Sequence, residues 1–554
     1  MEFPVRQVSP GAPQLSLFGE SVGADADGGP PPEPEACTRF VDPPPGELRV
    51  GPTLLYDYLV ETEATDVLAI RRFVRGLDMT EFAKAYVPRG RAPYHPALMI
   101  SLILYALAKG VSSLRKIEEL ARWDARVWWL TGGACPDHTT LCRFLIRHED
   151  LLAQDFFVVL AKGVVELTGA DASDVAIDGT TIASMATRYQ LLTAEAAEQK
   201  SLEAREAAEA ASNEQEAARL TAKAAKLEQV AEVSRERTEV RKRDRGRKCE
   251  EVKVAPADPD ATYQKLKDGT YAPSHKPVIA ATKERIVVGF DVQTSCESDA
   301  VPRILDQAAE IAGQPVQKAR ADSGFRSGHV IQDMLDRGVE EPLITERAVA
   351  EGVRRKKSSK RRMLPQSEFR YDGATDTYRC PAGETLRLKA TRKRKNPQGT
   401  RTRILRTYGG APCDLCVRRP ECTEAKAGRS IVRSDSADLL EAMAHVMSYP
   451  DSVRDYRQRA AMVEPVFADL HQQQGFRRLR RAGKRVRLEV ALHLMAHNLG
   501  RLLRLLPGLH AALLALLRAL WVFAGALRAL ATPGSTRQGA PGLALVPVAY
   551  SSRS

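Results

Sequence analysis

The stretch Asp174-Val175-Ala176-Ile177-Asp178-Gly179-Thr180-Thr181 decides how the rest of the chain is read. Its apolar centre predicts a short strand that ends in an acid beside a glycine, where a carboxylate can face a ligand. Val316 to Ala321 repeats the pattern and runs into Asp322-Ser323-Gly324-Phe325, with a helix expected from about Ser327. One such acid proves little, because capping is its ordinary role; two of them point to an α/β layer. Between them, Pro277 to Ala281 and Glu284 to Gln293 read as hairpin strands, since β-branched residues cluster on both sides of the polar turn around Lys283. Such a layer can bring carboxylates together on divalent cations, and Mg2+ needs only a few acids beside water and phosphate. A third acid is expected from elsewhere in the fold. Glu464 qualifies: it lies in the helical stretch Tyr456 to Gln472, with Arg457 and His471, each seven residues away, on its face.

At 554 residues the chain exceeds the ~250–300 at which one hydrophobic core stops growing, so several folding units are expected. Its formal charge of +12 favours a polyanionic partner. Nucleic acid comes first and an anionic membrane second, but no basic region followed by an apolar stretch opens the chain, so a cytoplasmic protein is expected. The most apolar segment, Ala511 to Leu530, contains Arg518 and Arg528, which would each cost roughly 2.5–3.5 kcal/mol at a membrane centre. No membrane association is therefore expected. Nine cysteines in so large a chain are not a disulfide framework.

Residues 1–48 are rich in Pro, Gly and acids and poor in aliphatics, the composition of a disordered tail. Within it, Gln14, Leu15, Leu17 and Phe18 form an apolar cluster that resembles the peptide by which bacterial replication proteins dock on the sliding clamp; the plain alternative is an incidental pentapeptide. In residues 49–168 the apolar spacing turns helical. A helix is expected behind Pro96 and another over Ser112 to Trp123, and Asp137 or Thr139 should cap a third that carries Arg143 and Arg147. That is a helix-turn-helix-like arrangement, with Thr139, Thr140, Arg143 and Arg147 as candidate DNA contacts, although ordinary helical hairpins share the spacing. Residues 191–250 are dominated by Ala, Glu, Lys and Arg, as in a long helix or coiled coil, with only Leu220, Leu227 and Val230 in seam-like spacing. Cys380, Cys413, Cys416 and Cys422 fall in a basic segment over 351–430, and Cys413-x-x-Cys416 has the turn spacing of a tetrahedral Zn2+ site. Reduced thiols are the alternative. Basic runs at Arg354 to Arg362, Arg392 to Arg406 and Arg477 to Arg487, with Arg477 and Arg478 at the head of the last, suggest phosphate contact.

The residues Tyr456-Arg457-Gln458-Arg459-Ala460-Ala461-Met462-Val463-Glu464-Pro465-Val466-Phe467 resemble the signature helix of DDE transposases from bacterial insertion sequences. That family shares a tyrosine, an arginine three residues on and a glutamate five beyond, matching Tyr456, Arg459 and Glu464. It also places a lysine where this chain has His471, which puts a phosphate contact there in doubt. The similarity takes in Tyr94-His95-Pro96, Pro136 to Thr140, Asp258 to Ala261, Ala321 to Gly324 and His497-Asn498-Leu499. It implies a ribonuclease-H-like core with Asp178, Asp322 and Glu464 holding two Mg2+ or Mn2+ ions, and Arg459 and Tyr456 beside them. It further implies cleavage at inverted-repeat ends, joining to target DNA, and action as a homo-oligomer on double-stranded DNA. Related transposases carry a similar cysteine-bearing insertion. The expected architecture is thus multi-domain α/β: the catalytic core in 169–190, 256–350 and 431–505, an N-terminal all-α domain in 49–168, the helical insertion in 191–250, a Cys-rich β subdomain in 351–430 and a C-terminal helix and tail in 506–554. The alternatives are an inactive DNA-binding repressor descended from such an element and a host nuclease of the same fold.

Overall fold

The computed structural model describes residues 40–86, 92–245, 250–346, 364–395 and 401–505. The clamp-like peptide Gln14 to Phe18, nearly all of the expected tail, the basic run Arg354 to Arg362 and everything from 506 onward lie outside the described residues.

Pro96 opens helix α1 (Pro96–Ala108) at the first helical position, where a missing N–H costs nothing. His95 caps it, its Nδ1 accepting the Ala97 N–H. Apolar all round, α1 is buried all round and forms the centre of the helical region. Helix α2 (Leu114–Trp123), a short helix Ala125–Thr131 and helix α3 (His138–Arg147) follow. Of the two cap candidates, Asp137 takes the role by accepting the Thr140 N–H. Glu118 on α2 accepts the His138 N–H and faces its ring, which fixes α2 against the start of α3.

The central sheet is built from β1 (Asp174–Gly179), β2 (Ile182–Ala183), β3 (Thr262–Lys265), β4 (Tyr271–Ala281), β5 (Val287–Gln293), β6 (Lys318–Ala321) and β7 (Glu341–Ile344). Its middle runs β5-β4-β1-β6-β7; β5, β4 and β1 are antiparallel neighbours, whereas β1, β6 and β7 run parallel. Asp174 to Ile177 are all buried, as expected of a strand covered on both faces. The β4–β5 hairpin has a wider turn than the sequence suggests. Arg285 adopts φ of 65° there, so β5 starts at Val287 instead of Glu284.

Between β2 and β3 the chain leaves as an antiparallel pair of helices, α4 (Ala194–Glu209) and α5 (Glu214–Arg245). Their shared seam is narrow: Ala197, Leu227, Val230 and Ala231 are buried, and alanines let the two axes approach. Leu192 and Val254 pair across the base.

Helix α6 (Val301–Ala312) precedes β6 and helix α7 (Gly328–Asp336) follows it, with Ser327 at the cap position of α7. A second sheet is a five-stranded antiparallel meander, β8 (Arg370–Asp372), β9 (Thr377–Arg379), β10 (Thr385–Lys395), β11 (Thr402–Gly409) and β12 (Ile431–Ser434). It has its own core of Phe369, Tyr378, Leu386, Tyr408 and Ile431. Here the expected boundary at 431 needs correcting: β12 pairs with β11, with Ile431 opposite Tyr408, so it belongs to the inserted sheet.

Helix α8 (Pro450–Ala468) crosses the central sheet and widens into a π turn over Asp469–Gln473; α9 (Arg485–Leu505) is the buried helix behind it. Pro465 inside α8 has no N–H to offer Ala461, and the Arg285 guanidinium supplies the donor instead at 3.2 Å. Beneath α8, Arg320 of β6 is fully buried and ion-paired to both Asp174 and Asp455. Among the described residues no helix is long and apolar enough to cross a membrane.

Candidate active site and nucleic-acid surface

Ile177 and Ala321 stand opposite each other in the parallel β1–β6 pair. The next residue on each strand is therefore an acid at the same edge of the sheet, on strands about 4.8 Å apart. Asp322 caps a short turn, its Oδ1 accepting the Gly324 N–H at 2.7 Å. Asp178 Oδ1 accepts the Gly179 N–H, and its Oδ2 accepts from Arg459 at 2.8 Å. Burial raises the Asp178 pKa above the ordinary carboxylate value and the Asp322 charge adds to this; Arg459 opposes both without cancelling them. Burial also raises the Tyr456 phenol, with Asp322 and Asp178 reinforcing it against Arg459. Asp178, Asp322, Arg459 and Tyr456 thus share one electrostatic environment.

Glu464 stands apart from this group. At 3.6 residues per turn it lies about 140° round α8 from Arg459 and about 7.5 Å further along the axis. It is exposed and has no hydrogen bond or ion pair to the other two acids. Among the described residues no three His, Cys, Asp or Glu side chains are grouped closely enough to hold one ion.

Sequence reading missed Glu297, which lies before α6. A Cβ added at Gly179 would come within 2.9 Å of its carboxyl carbon, and Lys276 pairs with it at 3.1 Å. The only sequence signal was an acid just after a strand, in a segment, Cys296-Glu297-Ser298-Asp299, with no apolar pattern to mark it.

The candidate DNA contacts divide into free and engaged side chains. On α3, Thr139, Arg143 and Arg147 are exposed, together with Cys142 and Ile146, and Arg147 also lies over the Tyr86 ring. Thr140 is tied back to Asp137. Arg457 is exposed on α8. His471 is held by the Phe476 carbonyl at 3.0 Å, and burial lowers its pKa, with Lys267 and Arg477 adding to the effect. Arg477 donates to the His471 carbonyl, and Arg478 to the carbonyls of Ser184, Met185 and Ala186.

Cys380, Cys413, Cys416 and Cys422 line one small cavity at the end of the inserted sheet, and all four are free. Burial raises the Cys422 thiol pKa, and the neighbouring thiols add to the effect.

Two family models match this chain: one described as a Transposase DDE domain, over residues 379–503, and one described as a Transposase domain (DUF772), over residues 58–147. These two matches support a DDE transposase of insertion-sequence type. The first match takes in all four cavity cysteines, then α8 with Arg459 and Glu464 and most of α9; the second takes in α1, α2 and α3. Asp178 and Asp322 lie outside both matches. Comparison with curated proteins gives no match.

Proposed function

We propose that this transposase cleaves the inverted-repeat ends of its element and joins the freed 3′ hydroxyls to target DNA by metal-assisted phosphoryl transfer. The observation that carries the reading is the pair Asp178 and Asp322 on adjacent ends of two parallel strands, with Arg459 bound to one of them. The β5-β4-β1-β6-β7 order around that pair supports a ribonuclease-H-like core. Two carboxylates at one edge are the hard oxygen donors that Mg2+ or Mn2+ takes, and Glu464 would be the third acid, carried on the helix that Arg459 fastens to β1. Bound divalent ions would make an attacking water or hydroxyl more acidic and stabilise the leaving oxygen.

The protein's own groups do the rest. Arg459 neutralises Asp178 and offers positive charge where phosphate charge develops, while Tyr456 packs beside it. The exposed face of α3 contacts duplex DNA as a helix-turn-helix-like reader. The four cysteines line one cavity, though not grouped closely enough for one ion as they stand; drawn together they would hold a structural Zn2+, for which thiolates are suited, and the protein acts as a homo-oligomer on its DNA. Docking of residues 14–18 on a sliding clamp belongs to the same reading.

Purified protein incubated with element ends, target DNA and Mg2+ or Mn2+ tests this. Joined products are expected, with loss of joining in Asp178→Asn, Asp322→Asn and Glu464→Gln. Cutting without joining would identify a nuclease, and binding alone a DNA-binding relative that does not cut.

A further inference from the structure

The segment between the π turn and α9 contains Arg477, Arg478, Arg480, Arg481 and Lys484 within eight residues. Such crowding of one sign would splay a free loop outward. Here the backbone is fastened at four points. Gln474 exchanges hydrogen bonds with His493, through Nε2 to its carbonyl at 3.1 Å and Oε1 to its Nδ1 at 2.7 Å, and the Phe476 ring stacks on the same imidazole. The Leu479 N–H donates to the Ala183 carbonyl at 2.8 Å, while the Arg478 guanidinium donates to the carbonyls of Ser184 and Met185 just beyond that strand. Glu489 of α9 is 2 % exposed and its carboxylate accepts the backbone N–H groups of both Arg480 and Arg481, each at about 3.0 Å. The Gly483 N–H, at a φ of 62°, points at Asp258 Oδ1.

These fastenings sort the basic side chains. Arg478 is exposed, but its guanidinium is tied to the carbonyls of Ser184, Met185 and Ala186 and acts as a strap. Arg480 and Lys484 are exposed, and among the described residues neither side chain has a hydrogen-bond or ion-pair partner. A buried carboxylate is costly unless it is paired and hydrogen-bonded; here the two backbone amides and the Arg481 guanidinium at 3.9 Å meet that cost, so the charge and the loop shape hold each other in place. The strap reaches Ala183, five residues beyond Asp178, so the loop is held in a fixed relation to the proposed acids.

We propose that Glu489 is a positioning residue which shapes the loop Phe476 to Lys484 into a preformed phosphate cradle, and that Arg480 and Lys484 contact the backbone phosphates of duplex DNA. This rests on the transposase reading of the same site and names its DNA-gripping residues. Arg478, with its donors already spent on the Ser184 and Met185 carbonyls, anchors the cradle and makes no phosphate contact of its own.

The test measures affinity of the full chain for a duplex carrying the element end, as a function of salt concentration. Each lost phosphate contact reduces the slope of log K against log salt by about 0.9. Arg480→Ala and Lys484→Ala should each lower the slope by that amount, and the double variant by about twice as much, with melting unchanged because both side chains are on the surface. Arg478→Lys should leave the slope intact. Glu489→Gln should reduce both slope and affinity, and should speed amide exchange at Arg480 and Arg481 while exchange in β1 stays slow. A double variant with the wild-type slope overturns the proposal. So does Glu489→Gln binding DNA as wild type while those two amides exchange freely. Wild-type protein showing no salt-dependent binding at all would instead refute the transposase reading.

Discussion

Replacing Arg320 by methionine tests how the catalytic helix is seated. Arg320 is fully buried between Asp174 at the start of β1 and Asp455 on α8, and its guanidinium also donates to the Asp455 carbonyl at 3.1 Å. Methionine keeps most of the volume and leaves two carboxylates without their central cation. Breaking a buried pair in this way costs about 3–5 kcal/mol. Both acids retain a lysine, Lys283 on Asp174 at 2.8 Å and Lys318 on Asp455 at 2.6 Å, which places the expected cost near the bottom of that range, at about 3 kcal/mol. Tryptophan fluorescence would report mainly the wrong unit, since three of the four tryptophans, Trp123, Trp128 and Trp129, lie in the helical region and Trp521 lies outside the described residues. Native-state hydrogen exchange at the amides of β1 and β6 reads the core directly, and about 3 kcal/mol corresponds to roughly a hundredfold faster exchange. Adding Asp174→Asn and Asp455→Asn should recover part of the loss, because the stranded charges are then gone. An Arg320→Met variant whose core amides exchange within a factor of five of wild type would refute the argument that this cation seats α8.

Three further outcomes follow from the packing and the charges. Gly289→Ala places a Cβ 2.5 Å from the Ile304 carbonyl, so β5 and α6 must separate; a loss of about 1–3 kcal/mol should appear as a lower melting temperature. Burial holds His148 down to about 4, against about 6.5 unfolded. The unfolded chain therefore takes up a proton first, and the helical region should be at full stability above about pH 6.5 and weaken progressively down to about pH 4. Denaturation followed by tryptophan fluorescence would show this, and His148→Phe should flatten the profile over that range. Elemental analysis should find one zinc per chain, lost in Cys413→Ser and Cys416→Ser. A chelator should then speed amide exchange in β8 to β12 and leave β1 and β6 unchanged.

The parts of the fold legible in sequence were those set by local chemistry. Two apolar runs ending in acids marked β1 and β6, Pro96 and Asp137 marked helix starts, and the Ala- and Glu-rich composition marked α4 and α5. Long-range chemistry left no local trace. Arg320 reads as a solvated arginine in a short strand until Asp174 and Asp455 are brought to it from 146 and 135 residues away. Glu489 looks like a surface acid on an amphipathic helix, because the amides it accepts belong to a neighbouring loop. Ile431 to Ser434 could read as a strand of either sheet, and its pairing with Leu405 to Tyr408 is a long-range contact that the segment itself does not announce. At the site, the pairing of Asp178 with Asp322 was readable from repetition, whereas which face of α8 meets them, that of Arg459 or that of Glu464, depends on helical phase relative to the sheet.

The helical arm begins and ends at one place, where Leu192 faces Val254. Residues can be gained or lost at its far tip, around Ala210 to Asn213, without altering the spacing of the strands that carry Asp178 and Asp322. Reach and chemistry are in this sense inherited separately: the arm is free to lengthen, shorten or change its surface between generations while the sheet below it keeps the same dimensions.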